Sequence, residues 1–187
     1  MNIQPPLLSV IVPFYNNEAF IIAALDSLFT QISDDIEVVI IDDGSTDASG
    51  ALVSRYLAQR QHPQVAFISQ ANGGIAHARN VGLQQATGRY VTFLDGDDLL
   101  SDDYLAILHP LLIAGEYDLI DFNYQKFTEQ PPKSENRATQ PVAYDFSSLG
   151  LSCLQPLFAR SMWHLWSRVY KRTLLAGEAF EDGRRYE

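Results

Sequence analysis

Two textures of apolar residues alternate along the chain. The first is a short unbroken run. Leu7 to Val12 reads Leu-Leu-Ser-Val-Ile-Val and stops at Pro13; Ile36 to Ile41 repeats it, and Val65 to Ser69 is a shorter version. Continuous hydrophobicity over strand length marks a strand covered on both faces, as in a parallel sheet. A fourth run, Arg89 to Leu94, is β-branched and aromatic and feeds straight into Asp95-Gly96-Asp97-Asp98. The second texture places apolar residues at intervals of three and four, as one face of a helix does. Phe20, Ile21, Ala24, Leu25, Leu28, Phe29 and Ile32 form one such stripe, and Leu52, Val53, Tyr56 and Leu57 a second. A third helix is expected over Ile75 to Ala86, after the turn Gln70-Ala71-Asn72-Gly73-Gly74 and before Thr87-Gly88. Asn16 or Asn17 can cap the first helix, and Ser45 or Thr46 the second.

Strand and helix therefore alternate three times before the strand that ends in acid. This order predicts an α/β fold, an open and mostly parallel sheet flanked by helices, with right-handed crossovers. Beyond Asp98, Tyr104, Ile107, Leu108, Leu111 and Leu112 predict a further helix, and Tyr117 to Phe127 a strand with partial alternation. The texture then changes. Residues 128–141 are polar, proline-bearing and devoid of large apolar side chains, which reads as a flexible loop. Phe146 to Arg160 is expected to be partly helical, and Trp163 to Arg172 is aromatic and basic at once.

Polar clusters follow the first, second and fourth strands, so they gather at one edge of the sheet, where open α/β folds place ligands. Three carboxylates within Asp95 to Asp98 repel one another. A divalent cation carrying a phosphorylated ligand would relieve that repulsion. The bland alternative is an acidic turn that caps the helix beginning near Ser101.

Charge and composition narrow the classes. Acidic residues outnumber basic ones 23 to 13, which excludes a general nucleic-acid binder because there is no basic stripe to displace counterions. The single cysteine, Cys153, excludes an internal disulfide framework and fits a reducing compartment. One cysteine and scattered histidines make no zinc site. There is no secretory leader pattern and no apolar run of bilayer length, so a cytoplasmic location is expected. The run Gly183-Arg184-Arg185-Tyr186-Glu187 stops in mid-pattern, which reads as a chain cut short.

The order of the polar clusters carries more than any one of them. Ser9-Val10-Ile11-Val12-Pro13-Phe14-Tyr15-Asn16, Ile41-Asp42-Asp43-Gly44-Ser45-Thr46-Asp47, Gly73-Gly74-Ile75-Ala76-His77-Ala78-Arg79-Asn80-Val81-Gly82 and Phe93-Leu94-Asp95-Gly96-Asp97-Asp98 together resemble the family 2 glycosyltransferases. The resemblance spans essentially the whole chain and is strongest over residues 7–105. It implies a GT-A (Rossmann-like) fold and inverting transfer of a sugar from a nucleotide-diphospho-sugar donor, with uridine the expected base. It divides the chain into a donor-binding domain over residues 1–120 and the start of an acceptor-side region over 121–187.

Residue by residue, the resemblance implies that Pro13 and Tyr15 line the nucleoside pocket. Asp43 would accept a hydrogen bond from the base while Asp42 holds the turn, and Arg79 would lie near the base or diphosphate. Asp95 and Asp97 are the acids of the Asp-X-Asp motif, Asp95 toward the ribose or sugar and Asp97 on a Mg²⁺ or Mn²⁺ ion. Trp166 to Arg172 resembles the family's acceptor-side segment, with Arg168 in place of the common lysine. Phe180 to Glu187 resembles a run whose next residue is the general base, so that base is expected immediately after Glu187. The acceptor would be a saccharide or lipid-linked saccharide, and any membrane association would come from a part beyond Glu187.

The chemistry sets an independent requirement. Inverting displacement needs a base for the acceptor hydroxyl and a neutralised leaving group. A carboxylate facing the cation cannot also take the proton, so the base must lie outside the Asp95–Asp98 cluster. Structural alternatives stand beside these roles: Asp42 and Asp43 as helix caps, Arg79 as a surface partner of a nearby acid, and Trp163 and Trp166 as core residues. Two other functional classes remain in view. A sugar-phosphate nucleotidyltransferase should carry a Gly-rich N-terminal loop, whereas Val12 is followed by Pro-Phe-Tyr-Asn-Asn. A non-catalytic nucleotide-sugar-binding module would keep the donor site and lack the base.

Overall fold

The computed structural model describes residues 5–60, 62–128, 164–175 and 180–181. Its elements in chain order are β1 (Leu8–Phe14), α1 (Ile21–Phe29), β2 (Ile36–Asp42), α2 (Ser49–Ala58), β3 (Val65–Ser69), α3 (Ile75–Gln85), β4 (Tyr90–Phe93), α4 (Tyr104–Ala114), β5 (Leu119–Asp121) and β6 (Arg168–Lys171). The six strands form one sheet in the order β3-β2-β1-β4-β6-β5. The first four in that order are parallel, and β6 runs antiparallel to both β4 and β5. The predicted α/β architecture with a mostly parallel sheet is what the chain adopts.

Why the strand sequences are apolar throughout is visible in the core. Alternate residues of each central strand serve opposite faces. Val10 and Val12 of β1 and Val38 and Ile40 of β2 pack with Ile21, Leu25 and Leu28 of α1, Val53 of α2, and Leu105, Leu108 and Leu112 of α4. Ile11, Val39, Ile41, Val91 and Phe93 face the other way, against Ala78 of α3. The two buried polar residues of β1 and β4, Ser9 and Thr92, are each hydrogen-bonded, Ser9 to Gly88 and Thr92 to Arg168.

Several boundaries differ from the sequence reading. β1 does not stop at Pro13 but runs through it to Phe14. Pro13 has no N–H, yet its backbone faces the β4 side, where the pairing already ends at Ile11 with Phe93. Only Leu119–Asp121 of the expected strand Tyr117 to Phe127 is extended into the sheet, because the partner there is the short β6. The strand β6 itself was not foreseen. It occupies part of the segment noted only as aromatic and basic. Residues 129–163, which include the expected loop to 141, the expected helix over Phe146 to Arg160, Cys153 and Trp163, lie outside the described residues, as does Glu187.

The helix caps also differ. α1 begins at Ile21, and the N–H groups of Phe20 and Ile21 donate to the backbone carbonyl of Asn17, not to an asparagine side chain. At α2, Asp47 Oδ1 accepts from Ser49 N–H at 2.9 Å, doing the work expected of Ser45 or Thr46. α4 closes on Gly115, whose φ of 70° is the left-handed conformation of a C-terminal glycine.

The close approach of α3 to β1 depends on Gly82. A Cβ built there would sit 2.3 Å from Ile11 Cγ2, inside a fully buried strand. Gly82→Ala therefore sets two effects against each other. Helix propensity gains about 0.5–1 kcal/mol, while overpacking a close-packed core costs about 1–3 kcal/mol. A net destabilisation is expected, read as a lower urea midpoint at unchanged m-value; a raised midpoint would mean that α3 is free to move off the sheet.

Candidate functional site

The chain passes from β1 outward to β2 and β3, then crosses back to place β4 on the other side of β1. The β1/β4 boundary is thus a topological switch point, and a crevice opens beyond the carboxyl ends of these strands. Four loops meet there, following β1, β2, β3 and β4.

The loops after β1 and β2 are fastened to each other. Asn16 takes a left-handed φ of 53°. Its Oδ1 accepts from Thr46 N–H at 2.8 Å, and its own N–H donates to Ser45 Oγ at 3.0 Å. Glu18 and Asp47 exchange a similar pair: Glu18 N–H donates to Asp47 Oδ2, and Ala48 N–H to Glu18 Oε2. Pro13 is buried in β1, whereas Tyr15 stands at the rim, 46% exposed.

Asp42 and Asp43 end β2 and are both buried. Asp42 Oδ1 accepts from Ser45 N–H at 2.8 Å across the Gly44 turn. Asp43 is tied to the loop after β3. Its Oδ1 accepts from Gln70 Nε2 at 2.8 Å and Gly73 N–H at 3.0 Å, and its Oδ2 from Gly74 N–H at 2.8 Å. Neither aspartate caps α2. Gln70, Gly73 and Gly74 were read only as a turn; the signal that pairs them with Asp43 is the run of donors they offer one strand away.

Arg79 is buried, 4% exposed, and its Nη2 lies 2.9 and 3.0 Å from the two carboxylate oxygens of Asp95. The alternative of a surface pair fails on burial: the partner is an acid, but this ion pair is internal, with the guanidinium 5.9 Å from the Phe93 ring. Arg79 Nε is also buried and has no acceptor among the described residues. Asp97 is exposed at the tip of the loop. Burial, then the charges of Asp95 and Asp97, push the Asp98 carboxyl up to about 6. The mutual repulsion read from the sequence is therefore present in the fold.

These residues fit a hard divalent cation. The donors are all carboxylate oxygens, and no group of three or more His, Cys, Asp or Glu among the described residues forms a self-sufficient cage. Mg²⁺-type sites are built this way, with one or two carboxylates and the balance from ligand phosphates. Asp97 is the exposed carboxylate; Asp95, engaged by Arg79, is the constrained one. A cavity of about 550 Å³ lined by Leu57, Arg60, His62, Pro63, Val65 and Phe67 lies at the β3 edge, away from these acids and without a carboxylate.

On the far side of β4, Arg168 is 8% exposed and its Nε donates to Asp121 Oδ1 at 3.0 Å, joining β6 to β5. Trp166 is partly buried and lies 4.9 Å from the His164 ring and 4.8 Å from Tyr124, ring centre to ring centre. It also packs against the core face that holds Phe93. Among the described residues no helix is long and apolar enough to cross a membrane.

Fold and site together define an open α/β architecture with an acidic cluster at its switch point, and comparison with known proteins identifies the family. The model of glycosyl transferase family 2 matches residues 9–168, so the chain belongs to that family, its enzyme class is that of the glycosyltransferases and its fold is GT-A. Glycosyltransferase GlyA of Streptococcus pneumoniae is 32% identical over 183 residues, covering 95% of this chain and 26% of its own length. The uncharacterized glycosyltransferase EpsJ of Bacillus subtilis is 34% identical over 176 residues, covering 90% of this chain and 49% of its own. The crystal structure of S. aureus TarS 1-349 in complex with UDP-GlcNAc superposes with a TM-score of 0.69 at 28% identity, over 90% of this chain and 46% of that one. The chain spans about half the length or less of these relatives.

The Arg168–Asp121 pair generates a test. Burial raises the Asp121 carboxyl, and the charge and hydrogen bond of Arg168 oppose that rise. In Arg168→Met the opposition is gone, so the Asp121 carboxyl should titrate at higher pH than in the parent, as read by carboxyl-carbon NMR. A folded-state value above the unfolded one favours the protonated form. The variant should then keep its stability at low pH and lose it as pH rises through the new titration, relative to the parent.

Proposed function

We propose that this chain is the donor half of an inverting transferase that moves a sugar from a nucleoside diphosphate, with uridine as the base, to a saccharide or lipid-linked saccharide acceptor. The observation that carries the reading is the acidic tip of β4. Asp95, Asp97 and Asp98 sit at the switch point, with a buried Arg79 on the first and the loops of β1 and β2 fastened alongside. The UDP-GlcNAc held by TarS supports uridine.

In this reading Pro13 and Tyr15 border the nucleoside. Asp43, held by the β3 loop, offers its remaining lone pairs to the base, and Asp42 keeps the turn beside it in shape. Asp97 holds Mg²⁺ or Mn²⁺, with Asp95 turned toward ribose or sugar and kept in place by Arg79. The ion, when bound, neutralises charge that develops on the leaving diphosphate. Gly96 keeps the backbone near the neighbouring β1 loop: a Cβ there would lie 2.8 Å from Phe14 Cβ. Trp166 and Arg168 belong to the acceptor side, and so does Glu187. The residues to 120 act as the donor domain and those from 121 begin the acceptor side. A cytoplasmic setting agrees with a free-thiol chain that uses nucleotide donors.

The test is calorimetry of UDP with and without Mn²⁺. The parent chain is expected to bind UDP in a Mn²⁺-dependent manner, and Asp97→Ala to weaken that binding by about tenfold or more, equivalent to about 1.4 kcal/mol. Binding that ignores both the ion and the substitution would overturn the reading.

A further inference from the structure

Two neighbouring residues of α3 reach to different parts of the molecule. Arg79 engages Asp95 at the tip of β4. Asn80 engages Phe180, 100 residues further along the chain. Asn80 Nδ2–H donates to the Phe180 carbonyl at 2.9 Å, and Phe180 N–H donates to Asn80 Oδ1 at 2.8 Å. One carboxamide thus takes both backbone groups of a single residue, as a paired strand would. The ring of Phe180 rests edge-on against Phe93, 5.7 Å between centres at an interplanar angle of 76°. Phe93 is the last residue of β4, two before Asp95. Phe180 is therefore held at two points. Its ring lies on the strand that carries the acids, and its backbone lies on the helix that carries their counter-charge.

Local preference does not explain an asparagine here. Asn is a poor helix former, because its side chain competes for nearby backbone groups, and α3 is a regular helix at this position. What Asn supplies, and an apolar helix former does not, is a donor group and an acceptor in one rigid plane on a short side chain. The segment it holds continues into Glu181.

We propose that Asn80 is a positioning residue for transfer. Its carboxamide registers the segment at Phe180 and Glu181 against the strand that leads to Asp95 and Asp97, so that this segment meets the acceptor at a fixed distance from the donor's reacting carbon. The inference rests on the sugar-transfer reading of the site. Near-attack geometry is steep enough that a displacement of about 1 Å can cost on the order of 100-fold in rate. The Arg79–Asp95 pair does not involve the Asn80 carboxamide, so donor binding is expected to be retained when that carboxamide is removed.

The experiment compares the parent with Asn80→Ala and Asn80→Leu. Leu has nearly the shape of Asn and a higher helix propensity, so a loss shared by both variants is not a weakened helix. Hydrogen exchange of the Phe180 and Glu181 amides should accelerate about tenfold or more while α3 and β4 exchange as in the parent. UDP affinity with Mn²⁺ should stay within about twofold, and kcat for transfer by the complete gene product should fall about 10- to 100-fold at unchanged donor KM. Unchanged exchange at Phe180, unchanged kcat, UDP affinity that falls in step with kcat, or recovery in Asn80→Leu would each overturn the proposal. Failure of the parent to bind UDP would instead defeat the sugar-transfer reading, and the exchange measurement would still decide whether Asn80 holds the segment.

Discussion

Like charges crowded at a strand tip need a counter-charge that cannot drift away. Two carboxylates about 5 Å apart repel by roughly 3 kcal/mol at an effective dielectric constant of about 20, and β4 ends in three of them within four residues. Arg79 answers one, and it does so from inside the protein, where salt screens it little. Its position follows from a sequence of contacts. Gly82 lets α3 lie against Ile11 of β1, β1 is the central parallel strand, and β4 hydrogen-bonds to β1. The geometry of the acidic tip is therefore set by backbone packing three elements deep. Among the described residues Asp97 and Asp98 have no cationic side chain paired with them, and burial together with the charges of Asp95 and Asp97 pushes the Asp98 carboxyl up to about 6.

The two ends of the parallel strands are treated differently. At the amino ends, Glu37 accepts from Ser9 Oγ, Thr87 N–H and Thr87 Oγ1, Gly88 N–H donates to Ser9 Oγ, and Arg172 Nε donates to the Gly88 carbonyl. That knot is closed and leaves few groups for a ligand. At the carboxyl ends the bonds run between loops instead, through Asn16, Asp43 and Gln70. The loops are stiffened without being filled in, so a ligand meets preformed walls and little ordering entropy is lost on binding.

The parallel part of the fold was legible because its rules are local. Unbroken apolar runs and helical stripes between them leave little choice of architecture, and the order of acidic and glycine clusters places a site at the strand tips. What escaped the sequence was non-local or ambiguous. β6, Arg-Val-Tyr-Lys, is too short and too charged to announce itself, and its strand character comes from being inserted between β4 and β5. For Arg79 the sequence offered a place near the base or diphosphate, or a surface pair with an acid; its burial was not legible, because only the tertiary position of Asp95 makes burial of an arginine tolerable. Asn16 was read as a cap because Asn favours helix starts, but the same carboxamide chemistry joined two loops instead. Asn80 gave no signal at all, since its partner lies 100 residues away.

The late arrival of β6 bears on how the chain folds. Thr92 of β4 bonds to the carbonyl of Arg168 across 76 residues of sequence. The β1–β4 pairing is as long-range, joining Leu8 to Tyr90, but all of its strands precede β6 in the chain and can assemble first. Until β6 docks, one side of β4 is an open, apolar strand edge, the kind that recruits other chains. Loop closure over such a separation is slow compared with local helix and turn formation. During synthesis, that edge stays uncovered for the whole time it takes to make the intervening segment, which marks β4 as the point where misassembly of this domain would begin.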